Sequence, residues 1–184
     1  LIAGLALGFV YELTKEPIRL QEEKAIQKAC QTVFQQAQIF DKTEYTPSNE
    51  VMEKLTVEGV EIGTLYEARD HAGQVLGYVV ETTSTEGYGG RITLYTGLTN
   101  EGILNGISIL SIAETPGLGM NAENVLVPQF ENVEITTFTY TKTGSKSPEE
   151  IDAISGATIT TEAIVDAVNG AVLVVTDKLQ KGGN

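Results

Sequence analysis

The hydrophobic positions of this chain follow a helical spacing near both of its ends. Apolar residues recur every three or four positions over residues 26–37, and a wider apolar stripe covers residues 164–179. Pro17 lies where a first helical turn would tolerate it, so the first helix is predicted to open there. Cys30 falls on the first stripe, and we therefore expect it to be a buried structural thiol.

Between the two helical regions the pattern is typical of strands separated by turns. Two clusters of turn residues, 70–73 and 99–102, each separate a pair of strand-like runs and predict two β-hairpins. The predicted strands are 64–69 with 75–81, 91–98 with 103–112, and a further strand at 134–142, and Gly106 is expected to mark a bulge. The polar stretch 41–49 is interpreted as a linker. The order of elements predicts an α+β fold with an antiparallel sheet and a C-terminal helix.

The first eleven residues, LIAGLALGFVY, carry no charge. This length is about half of the roughly 20 apolar residues that span a bilayer, and the chain begins with Leu rather than Met. We therefore expect a truncated membrane anchor with an upstream segment. A buried helix of a soluble core, or the end of a signal peptide, remains the alternative.

Composition narrows the chemistry that the chain can perform. With 12 Lys and Arg against 25 Asp and Glu among 184 residues, the net charge is −13, which argues against binding nucleic acid. One Cys excludes an internal disulfide and a cysteine-rich metal site, and one His excludes a multi-histidine zinc site. We assign no metal and no catalytic side chain. Any difficult chemistry would therefore have to come from carboxylates, hydroxyls or an organic cofactor.

Three irregular segments interrupt the regular pattern. They are G-Y-G-G at 87–90, E-T-P-G-L-G at 114–119 and D-A-I-S-G-A-T at 152–158. Taken singly, the first is a tight turn, the second a turn fixed by Pro beside Gly, and the third a helix start capped by Thr160 or Thr161. However, Thr158 beside a helix N-terminus is also the arrangement that stabilises a phosphate.

Together these segments resemble the FMN-binding domains found in the G subunit of the Rnf electron-transport complex and in the C subunit of the sodium-pumping NADH:quinone reductase. The resemblance implies that FMN is joined by a phosphoester bond to Thr158, which closes the S-G-A-T motif. It also implies that the remaining cofactor-binding residues lie on the three segments: Ser155, Gly156, Ala157, Glu114, Thr115, Gly117, Leu118, Gly119, Tyr88, Gly89 and Gly90.

The resemblance carries further expectations about organisation. Residues 1–40 would be a membrane anchor and stalk, and residues 41–184 an FMN-binding domain on the extracytoplasmic side of a single-pass cell-membrane protein. The chain would be an electron-carrier subunit of an Rnf-type ion-translocating ferredoxin:NAD⁺ oxidoreductase with no independent catalytic activity. Its partners would be the other subunits and a flavin transferase that matures it.

Other assignments remain open on the sequence alone. The equivalent subunit of a sodium-pumping NADH:quinone reductase is one alternative, although the compact length favours the Rnf subunit. A flavinylated domain of another extracytoplasmic reductase is a second. A non-redox surface module on the same α+β scaffold is a third.

Overall fold

A computed structural model describes residues 2–182, with side chains described from residue 14 onward. The chain begins with one long helix and continues as a sheet that a second long helix closes. The elements, in chain order, are α1 Ile2–Val33, β1 Ile39–Thr43, α2 Asn49–Val57, β2 Val60–Arg69, β3 Val75–Ser84, β4 Ile92–Thr99, β5 Ile103–Ser111, α3 Ala122–Val125, β6 Val133–Glu134, β7 Thr139–Thr141, β8 Glu150–Asp152 and α4 Thr158–Gly182.

Six strands form one antiparallel sheet in the order β1-β2-β3-β4-β5-β6, which is also their order along the chain. The two predicted hairpins are β2–β3 and β4–β5, and both are confirmed. The register shift between Gly97 and Leu98, opposite Gly106, confirms the expected bulge. Strands β7 and β8 pair in parallel as a separate ribbon. The antiparallel sheet and the C-terminal helix of the predicted α+β fold are therefore present.

The main core lies between the sheet and α4. Buried α4 residues, among them Ile164, Val168 and Val175, pack with Leu94 and Leu104 of the sheet. In the described residues α4 is the one helix that is long and apolar enough to cross a membrane, and 67% of its apolar window is buried inside the domain. Since most of that surface is covered by the sheet, we interpret α4 as the core helix of the domain.

The end of α1 packs on the opposite face of the sheet. Cys30 and Phe34 are buried there against Tyr66, Val79 and Tyr95. A Cβ on Gly97 would lie only 2.3 Å from the backbone oxygen of Val33, so the helix end contacts the strand backbone directly. The absence of a side chain at residue 97 is what permits this contact.

Upstream of this contact α1 stands away from the sheet. Residues 14–25 are exposed, and Arg19 pairs with Glu16 and Glu23 at helical spacing. The stretch predicted as a membrane anchor lies at the start of α1, but the side chains of residues 1–13 lie outside the described residues. The anchor therefore stays a prediction.

Four expectations about local structure are wrong or incomplete. Pro17 lies inside α1 and does not open it, although proline removes a helical hydrogen bond there, and the exposed pairs of Arg19 with Glu16 and Glu23 recover only a small part of that loss. The predicted linker 41–49 contains the end of β1, an edge strand with exposed polar residues.

Helix α2 was missed because only Val51 and Leu55 are buried in it. The predicted strand 134–142 is two short strands that belong to different sheets.

Candidate functional site

The three irregular segments meet in one pocket of about 490 Å³ at the N-terminal end of α4. This volume is within the range of roughly 300–1,000 Å³ that small-molecule sites occupy. The lining residues are Tyr88, Glu114, Thr115, Leu118, Gly119, Gly156, Ala157, Thr158, Ile159 and Thr160. A second pocket, of about 630 Å³, lies beside α2 and β2, but no residue of the three segments lines it.

The pocket contains most of the residues predicted for a cofactor site. Eight of its ten lining residues were expected from the three motifs. Ser155, Gly117, Gly89 and Gly90 lie on the same segments but do not line the pocket. Ile159 and Thr160 were missed as lining residues, since they lie inside a helix whose apolar stripe was assigned to the core. Their position in the first helical turn after Thr158 is the feature of the sequence that could have identified them.

Glu114 joins the first two segments. Its side chain is buried, and its Oε1 atom accepts a hydrogen bond from the backbone N–H of Gly89 at 3.1 Å. A Cβ on Gly89 would lie 2.0 Å from the carbonyl oxygen of Ala113, so the two loops are in backbone contact. The segment before β4 and the segment after β5 are thus held together as one wall of the pocket.

Two glycines keep the pocket open toward α4. A Cβ on Gly119 would lie 2.7 Å from both the Cβ of Glu114 and the Oγ of Thr160, a distance that real side chains do not adopt. Gly156 has φ +77°, in the left-handed region that favours glycine, and the Leu118 side chain would be 3.3 Å from its Cβ. A side chain at residue 119 or 156 would therefore displace a neighbouring wall of the pocket.

The start of α4 presents backbone N–H groups to the pocket. The first i→i−4 bond of the helix runs from the N–H of Thr161 to the oxygen of Ala157 (3.1 Å), so the N–H groups of Thr158, Ile159 and Thr160 precede the helical ladder. The helix dipole adds partial positive charge at this end. Together these groups favour a bound anion such as a phosphate.

The three threonines at this helix start differ in accessibility. Thr158 is half-buried and lines the pocket, whereas Thr160 is 1% exposed and Thr161 is fully buried. The Thr161 hydroxyl donates to the oxygen of Ala157 (2.9 Å) and accepts from the N–H of Ile154 (3.1 Å). Thr160 and Thr161 lie inside the first turns of α4, so the expectation that one of them caps the helix is wrong. Thr161 instead fixes the loop that leads into the helix.

The donor set of the pocket fits FMN. Tyr88, Leu118 and Ile159 offer apolar surface to a planar ring, while Glu114, Thr115 and Thr160 offer polar groups at its edge. The start of α4 offers the N–H groups that a phosphate requires. The space left by Gly119 and Gly156 keeps these surfaces apart. The residues present thus combine an apolar surface that suits a planar ring with a helix end that suits a phosphate.

Comparison with known proteins places this site in a family. Residues 87–173, which include all three segments, match the family of FMN-binding domains. The crystal structure of Shewanella oneidensis NqrC shares the fold with a TM-score of 0.53 and 17% identity, over 64% of this chain and 59% of that one. Because the identity is low, this likeness shows the fold alone.

Relatives of higher identity extend over nearly the whole chain. The G subunit of the Na⁺-translocating ferredoxin:NAD⁺ oxidoreductase complex of Acetobacterium woodii is 32% identical over 94% of this chain and 84% of its own length. The G subunit of the ion-translocating oxidoreductase complex of Methanosarcina acetivorans is 31% identical over 93% and 86%. The G subunit of the proton-translocating ferredoxin:NAD⁺ oxidoreductase complex of Clostridium ljungdahlii is 31% identical over 95% and 85%. The chain therefore belongs to the family of G subunits of the ion-translocating oxidoreductase complexes, the Rnf complexes.

Proposed function

We propose that this chain is the electron-carrier subunit of an Rnf-type ion-translocating ferredoxin:NAD⁺ oxidoreductase, and that it carries FMN covalently on Thr158. The convergence of the three glycine-containing segments on one pocket, with Thr158 in its wall, carries the proposal. FMN, when bound, supplies the redox chemistry. The protein's own residues have to hold the cofactor and leave it within reach of a partner.

The accessibility of the threonines supports Thr158 as the attachment residue. An enzyme that modifies a hydroxyl must reach it, and among Thr158, Thr160 and Thr161 only Thr158 is more than 1% exposed. The Thr161 hydroxyl is also occupied by two backbone hydrogen bonds. Ser155 is exposed but does not line the pocket, so a flavin on Ser155 would start outside the cavity.

The attachment that we propose is a phosphoester transfer from FAD, catalysed by a separate flavin transferase. The Thr158 hydroxyl would release its proton to water while its oxygen forms a bond to the phosphorus of the FMN half. The pyrophosphate bond of FAD breaks, and AMP leaves. The N–H groups at the start of α4 would stabilise the negative charge of the phosphodiester that results.

The remaining lining residues would position the ring. Tyr88 and Leu118 would contact its faces, Thr115 and backbone N–H groups would meet its polar edge, and Glu114 would hold the two loops in place. Covalent attachment prevents loss of the cofactor during turnover, which matters most outside the cytoplasm.

We also propose the organisation that the sequence implied. Residues 1–40 would serve as anchor and stalk, the end of the stalk packing on the sheet around Cys30 and Phe34, and residues 41–184 would lie on the extracytoplasmic side of the cell membrane as the FMN-binding domain. The exposed, ion-paired middle of α1 supports a stalk. The other subunits of the complex would donate and accept its electrons.

The attachment is tested by mass spectrometry of the chain purified from cells that supply the flavin transferase. The tryptic peptide 147–178 contains all three threonines and Ser155, so fragmentation must localise the added FMN mass. We expect it on Thr158, with Thr158→Ala losing the flavin while Ser155→Ala retains it. An FMN mass on Thr160, Thr161 or Ser155, or unmodified protein, would refute the proposal.

The carrier role is tested by reduction of the flavin in stopped flow. We expect dithionite to reduce the purified flavinylated chain, and NADH to reduce it only within the assembled complex, because no dinucleotide-binding G-x-G-x-x-G occurs in the sequence. Rapid bleaching of the isolated chain by NADH would instead identify a self-contained reductase.

A further inference from the structure

Two side chains in the pocket wall are buried and yet keep a polar atom without a protein partner. Thr160 is 1% exposed and Glu114 is 7% exposed, and both line the pocket. Within the part of the chain that the structure describes, the Thr160 hydroxyl has no hydrogen-bond partner, and Glu114 uses only Oε1, which accepts from Gly89. Neither the Thr160 Oγ nor the Glu114 Oε2 is enclosed by protein, so both open into the pocket. Because polar atoms of buried side chains are normally bonded, these two atoms point to a bound molecule.

The two side chains follow one another along the wall, from α4 toward the segment 87–90. A Cβ on Gly119 would lie 2.7 Å from both the Thr160 Oγ and the Glu114 Cβ, so the hydroxyl lies at the base of the Glu114 side chain. The carboxylate lies further on, where its Oε1 would be 2.9 Å from a Cβ on Gly87. The polar groups of the wall therefore begin with the N–H groups of α4, continue with the Thr160 hydroxyl and end with the Glu114 carboxylate.

The charge at each end of this wall decides which part of a long ligand can bind there. The start of α4 attracts a phosphate, whereas the Glu114 carboxylate repels a phosphate and can only accept a hydrogen bond. FMN carries its phosphate at one end of a hydroxylated chain and its ring at the other end. The oxidised ring has a single N–H donor, which belongs to the imide group between its two carbonyls. The order of groups along FMN thus matches the order of groups along the wall.

We propose that Oε2 of Glu114 accepts a hydrogen bond from the imide N–H of the flavin ring and that the charge of Glu114 lowers the reduction potential of the flavin, an inference that rests on the proposed function. Each electron that the ring takes up adds negative charge, which a nearby carboxylate opposes. Among the described residues no Lys or Arg pairs with Glu114, so its charge is not neutralised. Because Glu114 is buried, water and salt screen this repulsion less than they screen that of an exposed carboxylate.

Three variants of the purified flavinylated chain test the effect of the charge. Glu114→Gln removes the charge and keeps an oxygen for the Gly89 N–H, whereas Glu114→Asp keeps the charge and shortens the reach to that N–H. Glu162→Gln is the matched control, because it removes an exposed carboxylate from the first turns of α4. Flavin content is measured first by absorbance, and then the reduction potential by equilibration with redox dyes.

We expect the equilibrium constant for one-electron reduction of the flavin to rise about tenfold in Glu114→Gln, which corresponds to about 59 mV. Glu114→Asp and Glu162→Gln should each stay within about twofold of the unmodified protein, since one keeps the buried charge and the other removes a screened charge. A purely structural role of Glu114 would give the opposite pattern, with Glu114→Asp altered and Glu114→Gln unchanged, and would overturn the proposal. Equal shifts in Glu114→Gln and Glu162→Gln would overturn it too, because they would reflect the net charge of the protein.

The hydrogen bond is tested in the unmodified protein, so this result does not depend on whether a variant folds. Cells that require riboflavin are fed riboflavin labelled with ¹⁵N in its imide group, and NMR of the purified chain measures exchange of the imide proton with water. We expect this exchange to be at least about tenfold slower than in free FMN, because a bonded and shielded proton is protected. Exchange as fast as in free FMN would overturn the proposal.

The outcomes also separate this inference from the proposed function. Absence of flavin from the unmodified chain would refute the proposed function, and the role of Glu114 toward the ring would fall with it. A chain that carries flavin on Thr158 but keeps its potential in Glu114→Gln would overturn the role of Glu114 alone.

Discussion

The carboxylate of Glu114 accepts a hydrogen bond from the backbone N–H of Gly89, so a residue after β5 holds the loop that precedes β4. The two residues are 25 positions apart in the chain, and the bond joins the buried Glu114 side chain to the exposed Gly89. The Glu114 side chain therefore adds a hydrogen bond to the backbone contact that joins the two loops.

We predict that Glu114→Ala lowers the free energy of unfolding by about 1–3 kcal/mol, since it leaves the Gly89 N–H without its acceptor. Glu114→Gln keeps an acceptor oxygen at the same place and should lose less. Urea unfolding of the two variants and the unmodified protein measures the difference. Equal stability of Glu114→Ala and the unmodified protein would show that the bond does not hold the loops.

The contact between α1 and the sheet leads us to predict that a side chain at residue 97 destabilises the protein. A Cβ there would lie 2.3 Å from the oxygen of Val33, so Gly97→Ala must push the helix end away from β4. We expect a loss of about 1–3 kcal/mol in the free energy of unfolding, as for other overpacked cores. Gly182→Ala is the control, because nothing lies near its Cβ. A Gly97 variant as stable as this control would contradict the tight contact.

The raised pKa of Asp166 on α4 leads us to predict that the stability of the protein depends on pH. Burial raises the pKa of its carboxyl to about 6, and the nearby carboxylates of Glu58 and Glu162 contribute to the rise. Since the pKa in the unfolded chain is about 3.9, the folded state binds the extra proton. This contribution to stability is present below about pH 4 and is lost as the pH rises through 6.

Asp166→Asn should therefore stabilise the protein at about pH 7.5, by about 1 kcal/mol after allowance for partial solvent screening, and make no such difference at about pH 4. Urea unfolding of both proteins across this range tests the expectation. A variant that stabilises equally at both pH values would show that the carboxyl has an ordinary pKa.

Cys30 is predicted to be chemically inert in the folded protein. Burial, with a further effect of the Glu81 carboxylate, raises the pKa of its thiol to about 12, so almost no thiolate exists at neutral pH. A thiol reagent such as Ellman's reagent should react with it only after unfolding. Rapid reaction of one thiol per native chain would show that α1 separates from the sheet.

The sequence predicts regular elements well where burial imposes a period. Helix α4 and the two hairpins carry apolar residues at helical or alternating positions because one face of each contacts the core. Helix α2 buries only Val51 and Leu55, which is too few residues to establish a period. Strand β1 pairs only with β2 at the edge of the sheet, so exposed Asp41 and Lys42 hide its strand character.

The site was predictable for a different reason. Its residues lie on short segments where glycine is needed for close approach, as at Gly119, and such segments are visible without tertiary information. The different solvent accessibilities of Thr158, Thr160 and Thr161 could not be predicted from the sequence. The accessibility of each side chain depends on how the preceding loop enters α4. The bond from Ile154 to the Thr161 hydroxyl fixes that entry, and no local pattern predicts it.

The contact between Val33 and Gly97 has a mechanical consequence. Because α1 ends against the sheet backbone, helix and sheet turn as one body. The part of α1 upstream of Ala29 corresponds to a lever arm of about 40 Å, so a tilt at its far end turns the sheet and the pocket with it. A protein that holds the start of α1 thereby also sets the direction in which the pocket opens. The carrier would be aimed at its partner rather than left to find it by diffusion.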